Sequence, residues 1–587
     1  MTEGSSMTRV LIANRGEIAV RVIHACHENG WTALAVYADS DADALFVHLA
    51  DEAYALGADS PKDTYLDAAR IIEVAVRSDA DAIHPGYGFL SENADFAQAV
   101  IDAGLVWIGP SPDSIRLLGD KVAARRIAAE VGAPMAPGTT EPVRDPAEVV
   151  GFVREHGLPV AIKAVHGGGG KGLKVVRRLE DVREAFLSAT REAEESFGNG
   201  DCFIERFLSR PRHVEVQVLG DGDGHVIAVG TRDCSLQRRN QKLIEEAPAP
   251  FLGTDVVTRL CDSAVAICSR AGYVGAGTVE FLVDPDGTIS FMEVNTRIQV
   301  EHAVTEEVTG VDLVKAQFSI AQGACVSDMD IHIHGHAMEF RINAEDPAHG
   351  FVPFPGRIRS LRVPSGPGIR FDTGIEAGSV VPGRFDSMLA KLIVTAPDRA
   401  SCLARARRAL AELRIEGVPT VIPFDRLVLR DPDFTGDDRL NIYTRWIEES
   451  FLPRTDPKDL SGPRPSRDQG GDPVTRSWIE IDGRRMELGI PSGLLPAMTG
   501  AIADGGDAAP DDSTTTASPG DVLAPLTGTV TSWLVDEGDR VERGTPVATL
   551  EAMKMETQVM APVSGVIHRT ASIGDLVDYG EPMGRVE

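Results

Sequence analysis

A repeated spacing near the C-terminus constrains this chain more than any other feature. Ala524-Pro525-x-x-Gly528 returns as Ala561-Pro562-x-x-Gly565. Gly538-Asp539-x-Val541-x-x-Gly544-x-Pro546 returns as Gly574-Asp575-x-Val577-x-x-Gly580-x-Pro582. The halves meet at Glu551-Ala-Met553-Lys554-Met555-Glu556, with apolar strand sequence on either side. Two like halves joined at a hairpin predict a quasi-two-fold all-β sandwich with Lys554 at its exposed end. A surface lysine is ordinarily just a solvated charge. Two methionines at a turn that should be polar instead mark a contact surface.

These residues resemble the biotinyl domain, or biotin carboxyl carrier protein, of the biotin-dependent carboxylases. Ala552-Met553-Lys554-Met555 matches that family's acceptor motif, and the likeness covers 521–587. Lipoyl domains share the fold, but their lysine usually follows Asp and precedes Ala. The resemblance implies biotin in amide linkage on Lys554.

The rest of the chain must then load or use that biotin. Its 587 residues are too many for one core. A net charge of −30 excludes nucleic acid and anionic membrane as main partners, since either needs a basic face. The seven cysteines (Cys26, Cys202, Cys234, Cys261, Cys268, Cys325, Cys402) show no CxxC pair and read as reduced thiols of a cytoplasmic protein. No apolar run is long enough to span a membrane, and the N-terminus lacks the signature of a signal peptide.

Arg9–Ala13, an apolar-periodic helix from Asn14-Arg15-Gly16-Glu17, and Thr32–Tyr37 read as a right-handed βαβ unit of a parallel sheet. No GxGxxG is present, so no dinucleotide site is expected there. His84–Asn93 is dense in turn residues after a strand, where open α/β sheets place ligands. Val160-Ala-Ile-Lys163 leads into Gly167-Gly-Gly169-Gly170-Lys171-Gly172. Five glycines in six residues cannot pack a core; they suit a mobile loop whose N–H groups approach phosphate.

Val279–Val283 and Ile289–Asn295 flank Asp284-Pro-Asp-Gly287. A four-residue loop puts Glu280, Glu293 and Asn295 on one face; a three-residue turn with a glycine bulge puts the carboxylates on opposite faces. Pro-Asp-Gly locally favours the bulged form. Carboxylate and amide oxygens converging on one face would suit Mg2+. That requirement selects the four-residue loop as the expectation. His332-Ile-His334-Gly-His336 alternates like a metal strand but has no evident partner ligands, and is read as a structural loop.

Lys121, Lys163, the glycine loop, Glu280, Glu293 and Asn295-Thr-Arg297-Ile-Gln299-Val300-Glu301-His302 together resemble biotin carboxylase, of the ATP-grasp class, from about residue 8 to 450. By resemblance, Lys121, Lys163, Gly169, Gly170, Glu205, Leu208 and His213 contact ATP. Lys242 lies near bicarbonate and the phosphates. Glu280, Glu293 and Asn295 hold Mg2+ (or Mn2+). Arg297, Gln299 and Val300 hold bicarbonate, Glu301 is the general base, and Arg341 faces biotin. One departure is Asn240, where several relatives carry His.

The expected class is therefore α/β and α+β multidomain. A Rossmann-like N-terminal subdomain (8–118) is followed by an ATP-grasp domain with a glycine lid (119–337) and a biotin carboxylase C-terminal domain (338–451). A short linking region with a hairpin around Asp482-Gly483 (452–502) and a flexible tether (503–520) lead to the biotinyl, lipoyl-like sandwich (521–587). The tether spans about 23 Å r.m.s. and keeps Lys554 at an effective concentration on the order of mM.

The implied function is ATP- and bicarbonate-dependent carboxylation of biotin on the chain's own lysine. No second catalytic half is present, so carboxybiotin would pass to a separate carboxyltransferase β subunit of an acetyl- or propionyl-CoA carboxylase. The resemblance also implies a biotin protein ligase and an α6β6 hetero-oligomer. Two other classes stand beside this reading: a non-catalytic carrier on a degenerate scaffold, and an ATP-grasp ligase making a different acyl phosphate.

Overall fold

In a computed structural model, the described residues are 7–139, 141–164, 173–197, 200–461, 474–481, 484–491, 520–525, 528–552, 555–577 and 580–587. They fall into two units, 1–462 and 463–587. Gly169, Gly170 and Lys554 lie outside the described residues, as does the tether 503–519.

The first unit opens with β1 (Arg9–Ile12), α1 (Gly16–Glu28), β2 (Thr32–Tyr37), β3 (Glu52–Ala55), β4 (Ala82–His84) and β5 (Val106–Trp107). All five strands are parallel, in the order β3-β2-β1-β4-β5. Central β1 carries Val10, Leu11 and Ile12 buried on both faces, as a strand covered by helices on each side must. α1 buries Ile18, Val22, Ile23 and Cys26, spaced to form one apolar stripe.

β6 (Val160–Ala164), β7 (Leu173–Val176) and β8 (Cys202–Arg206) form a separate three-stranded sheet in the order β7-β6-β8. α2 (Lys121–Glu130), capped by the Asp120 carboxylate accepting from the Ala123 N–H at 2.8 Å, precedes it in the chain.

The largest sheet contains β9 (Arg212–Gly220), β10 (Val226–Arg238), β11 (Gln241–Ala247), β12 (Gly275–Val283), β13 (Ile289–Asn295), β14 (His336–Asn343), β15 (Ile369–Thr373) and β16 (Met388–Ala396). Their order is β13-β12-β9-β10-β11-β14-β16-β15. α3 (His302–Thr309) packs on this sheet with Ala303, Val304 and Val308 buried against Ala247, Ala337 and Ile393. The sheet thus runs from residues 212–295 into residues 336–396 without a break. The three histidines at 332, 334 and 336 do not converge: His332 is exposed beside Asp330, and His336 is buried on Glu246.

In the second unit, β17 (Val474–Ile481) pairs with β18 (Arg484–Pro491), and Ile481 faces Arg484 across the Asp482-Gly483 pair, as a two-residue hairpin requires. The C-terminal sandwich has two four-stranded sheets. One joins Asp521–Leu523, Pro582–Val586, Gly565–Arg569 and Arg540–Val541; the other joins Met555–Met560, Pro546–Ala552, Gly528–Trp533 and Leu576–Val577. The repeat is a structural two-fold. Gly538 and Gly574 have φ +85° and +96°, and Gly544 and Gly580 have +86° and +81°, conformations that favour glycine. Gly544 N–H donates to Ala561 O at 2.9 Å and Gly580 N–H to Ala524 O at 2.8 Å. Gly538 donates to Ile567 O and Gly574 to Val530 O in the same reciprocal way. Among the described residues, no helix is long and apolar enough to cross a membrane.

Candidate active site

The site grows from strand alternation. β9 reads Val214-Glu215-Val216-Gln217-Val218. Its valines enter the core, so Glu215 and Gln217 share the other, buried face. β10 brings Arg232 to that face. Its Nε donates to Glu215 at 2.5 Å, and Nη1 donates to Gln217 and to Thr305 of α3, both at 2.8 Å.

Lys242 on β11 is the hub. Its Nζ donates to Glu215 Oε2 at 2.6 Å, Glu280 Oε1 at 2.9 Å and Glu301 Oε1 at 2.6 Å. Arg341 on β14 donates from Nη2 to Glu301 Oε2 at 2.8 Å and from Nε to Glu245 at 2.6 Å. His213 Nε2 sits 3.3 Å from Glu280 Oε2. Burial opposes ionisation of Glu301, but Lys242, Arg341 and Arg232 outweigh it and hold its carboxyl well below the usual range. Glu280 is lowered too: burial raises it, and Lys242 and His213 overcome that. Burial lowers His213, yet Glu280 turns the net shift upward. Glu245, beside Arg341, is pushed up to about 7 by burial. A carboxylate so held is a poor proton acceptor until a competing anion draws off one of its cations.

Arg297 donates to Glu92 at 2.9 Å, Gln299 at 3.0 Å and Asn295 Oδ1 at 3.3 Å. The buried Asn295 Nδ2 has no hydrogen-bond partner among the described residues. The Val300 carbonyl accepts from Lys391 at 2.8 Å. Lys121, first residue of α2, stands 3.1 Å from Glu293. Further along α2, Arg125 reaches Glu205 at 3.6 Å. Glu205 pairs with Lys163 on the three-stranded sheet, and Leu208 is buried nearby in sequence. Arg239 and Asn240 form the left-handed turn between β10 and β11, with φ +48° and +66°. Asn tolerates that conformation, which gives Asn240 a backbone role.

The β12–β13 turn departs from expectation. Val283 pairs with Ile289. Asp284 N–H donates to Thr288 O, and Gly287 N–H to Asp284 O, both at 2.9 Å. Gly287 has φ +86°. This is the three-residue Pro-Asp-Gly turn with a glycine bulge, so the four-residue loop is overturned. The carboxylates nevertheless share a face. The register shifts between Glu280 and Phe281: Phe281 faces Phe291, Met292 is skipped, and Glu280 faces Glu293. One residue gained in the strand cancels the one lost from the turn. Inferring the turn from the site failed because it assumed an unbroken ladder.

Sequence reasoning missed Glu215, Arg232, Glu245 and Glu92. Glu215 had a signal, a charge alternating with valines in Val214-Glu215-Val216-Gln217-Val218. Glu92 lay in the turn-rich stretch after β4. Arg232 and Glu245 had none: Arg232 meets Glu215 across the β9–β10 hairpin only after a register shift at Ala228–Gly230, and the partner of Glu245, Arg341, comes from the non-consecutive strand β14.

Four family models match: "Biotin carboxylase, N-terminal domain" at 6–115, "Carbamoyl-phosphate synthase L chain, ATP binding domain" at 120–329, "Biotin carboxylase C-terminal domain" at 339–449 and "Biotin-requiring enzyme" at 517–586. The chain is 52% identical to the biotin-dependent acyl-coenzyme A carboxylase alpha3 subunit of Mycobacterium leprae, over 99% of each chain. It is 47% identical to the biotin carboxylase of a Nostoc species, covering 75% of this chain and 98% of that one. Among solved structures, biotin carboxylase from Campylobacter jejuni in a β,γ-ATP complex aligns with TM-score 0.70 and 41% identity, over 76% of this chain and 98% of that one. The biotin carboxylase domain of Hydrogenobacter thermophilus 2-oxoglutarate carboxylase, with MgADP, ADP and bicarbonate, aligns with TM-score 0.70 and 42% identity, over 78% and 100%. Four matching models and a relative of 52% identity along the full chain place it in one family: the chain belongs to the α subunits of the biotin-dependent acyl-CoA carboxylases, biotin carboxylase joined to a biotinyl carrier domain.

Proposed function

We propose that Glu301, Lys242 and Arg341 are the centre at which bicarbonate is activated by ATP and its carboxyl group passed to biotin on Lys554. The observation that carries this is the sharing of Glu301 between Lys242 and Arg341. Phosphate and bicarbonate oxygens compete with Glu301 for those donors. As Lys242 turns to them, Glu301 regains proton affinity and takes the bicarbonate proton. The bicarbonate oxygen then attacks the γ-phosphorus and ADP leaves, giving carboxyphosphate; this breaks into CO2 and phosphate, the phosphate takes the ureido N–H proton of biotin, and that nitrogen bonds to the CO2 carbon. Arg297 and Gln299, with the Val300 backbone, orient bicarbonate. Lys121, Lys163, Glu205, Leu208, His213, Gly169 and Gly170 contact the nucleotide. Arg341 presents its guanidinium to biotin.

Glu280 and Glu293, facing each other, and Asn295 offer the hard oxygen donors that Mg2+ takes, and would hold it. Bound there, the ion would neutralise charge on the phosphates. Glu293→Gln is expected to raise the Mg2+ requirement and cut turnover without lowering the melting temperature, because its partner Lys121 is exposed. A Mg2+ titration of ADP release, with a parallel melt, checks this.

Lys554 suits biotin because Ala552 pairs with Met555, which leaves a two-residue connection between the strands. The intact mass of Lys554→Ala should lack the biotin increment; biotin found elsewhere sinks the assignment. The carboxyltransferase partner is a separate β subunit that selects acetyl- or propionyl-CoA, in an α6β6 assembly in the cytoplasm. Bicarbonate-dependent ADP release with free biotin tests the catalytic reading against a carrier-only role.

A further inference from the structure

β9 ends in a tight turn, Asp221-Gly222-Asp223-Gly224-His225. Asp221 is buried, and its Oδ1 accepts from the Asp223 and His225 N–H groups, both at 3.0 Å. Its other oxygen, Oδ2, accepts from Val326 N–H at 2.9 Å and faces His225 Nδ1 at 3.1 Å. Cys325, on the segment after the helix Leu313–Ala321, places Sγ 3.5 Å from the same Nδ1. The three ligand atoms all lie within 4.8 Å of one another.

A nucleophilic relay is excluded by this geometry. In a Cys–His–Asp relay the thiol and the carboxylate take opposite ring nitrogens. Here both face Nδ1, and convergence on one point is what a metal ion needs. A tetrahedral zinc, with bonds of about 2.0 Å to N and O and about 2.3 Å to S, has ligand edges of about 3.3 Å for N–O and about 3.5 Å for N–S. The observed edges are 3.1 and 3.5 Å.

We propose that Asp221, His225 and Cys325 form a site for a divalent transition metal of the zinc class. It is distinct from the carboxylate knot, six residues or about 20 Å along β9 from Glu215. Imidazole and thiolate favour Zn2+ over Mg2+. On binding, the Cys325 thiol proton passes to solvent and the sulfur pair forms the metal bond; no electron is transferred. The fourth position is left to water or to Ser327, whose Oγ is 3.0 Å from Sγ. The ion would pin the β9–β10 turn to the segment that leads into β14.

The test uses untagged full-length protein, stripped by chelator, held in excess Mg2+ and titrated with Co2+, then Zn2+. A thiolate-to-cobalt charge-transfer band should saturate at one equivalent and be displaced by Zn2+. Cys325→Ser should abolish the band, and His225→Gln should weaken Zn2+ binding at least about tenfold. Neither change should alter zinc-free biotin carboxylation. As a measurement on the unsubstituted chain, Zn2+ should protect Cys325 from alkylation, read by peptide mass. Absence of the band, a band retained in Cys325→Ser, unchanged affinity in His225→Gln, or no protection of Cys325 would each overturn the site.

Discussion

Glu301→Gln is expected to lower bicarbonate-dependent ADP formation about 10²–10⁴-fold while ATP binding is retained. The amide keeps the shape of the side chain and removes the proton-accepting charge. The fold should survive, because Lys242 keeps Glu215 and Glu280, and Arg341 keeps Glu245. Stability should fall in a pH-dependent way. The carboxyl of Glu301 is held below its usual range in the folded chain. Its stabilising contribution is therefore present above the ordinary glutamate pKa and is lost as pH falls through the depressed one. The deficit of the variant, measured by denaturant titration, should be full at neutral pH and shrink in acid. An unchanged bicarbonate-dependent rate would mean that another group takes the proton.

Lys242→Met should be the more damaging change. It leaves Glu215, Glu280 and Glu301 around an apolar side chain, all three buried. Removing one partner from a buried ionic cluster costs about 3–5 kcal/mol. Turnover should be lost and the melting temperature should drop. Mg2+ should raise the melting temperature of this variant more than that of the unsubstituted chain, because a cation at Glu280 replaces part of the missing charge. Melts with and without Mg2+ check this; equal melting temperatures for the two proteins would show that Lys242 does not hold the cluster together.

Much of this was legible in the sequence because it is local. The βαβ opening, the Asp-Gly hairpin and the twin halves of the C-terminal sandwich all follow from spacings within one stretch of chain. Glu280 and Glu293 were legible as a pair for the same reason. The turn between them was not, since the bulge at Met292 depends on how β13 is held against β12. The ring of counter-charges was hidden more deeply. Glu215, Arg232 and Lys242 come from three consecutive strands, but Glu280 and Arg341 reach them only because β12 pairs with β9 and β14 with β11. No local pattern encodes those two pairings.

The reciprocal hydrogen bonds of the C-terminal repeat bear on the timing of synthesis. The strands flanking Lys554 are complete once Met560 has been made. Yet Ala524, in the first repeat, accepts from Gly580, and Val530 accepts from Gly574, both in the second. A nascent chain that has just extruded its lysine hairpin therefore still lacks the donors that close the first repeat. The carrier domain closes only after the second repeat clears the ribosome, so an enzyme that modifies the lysine on the closed sandwich must act after translation has passed that point.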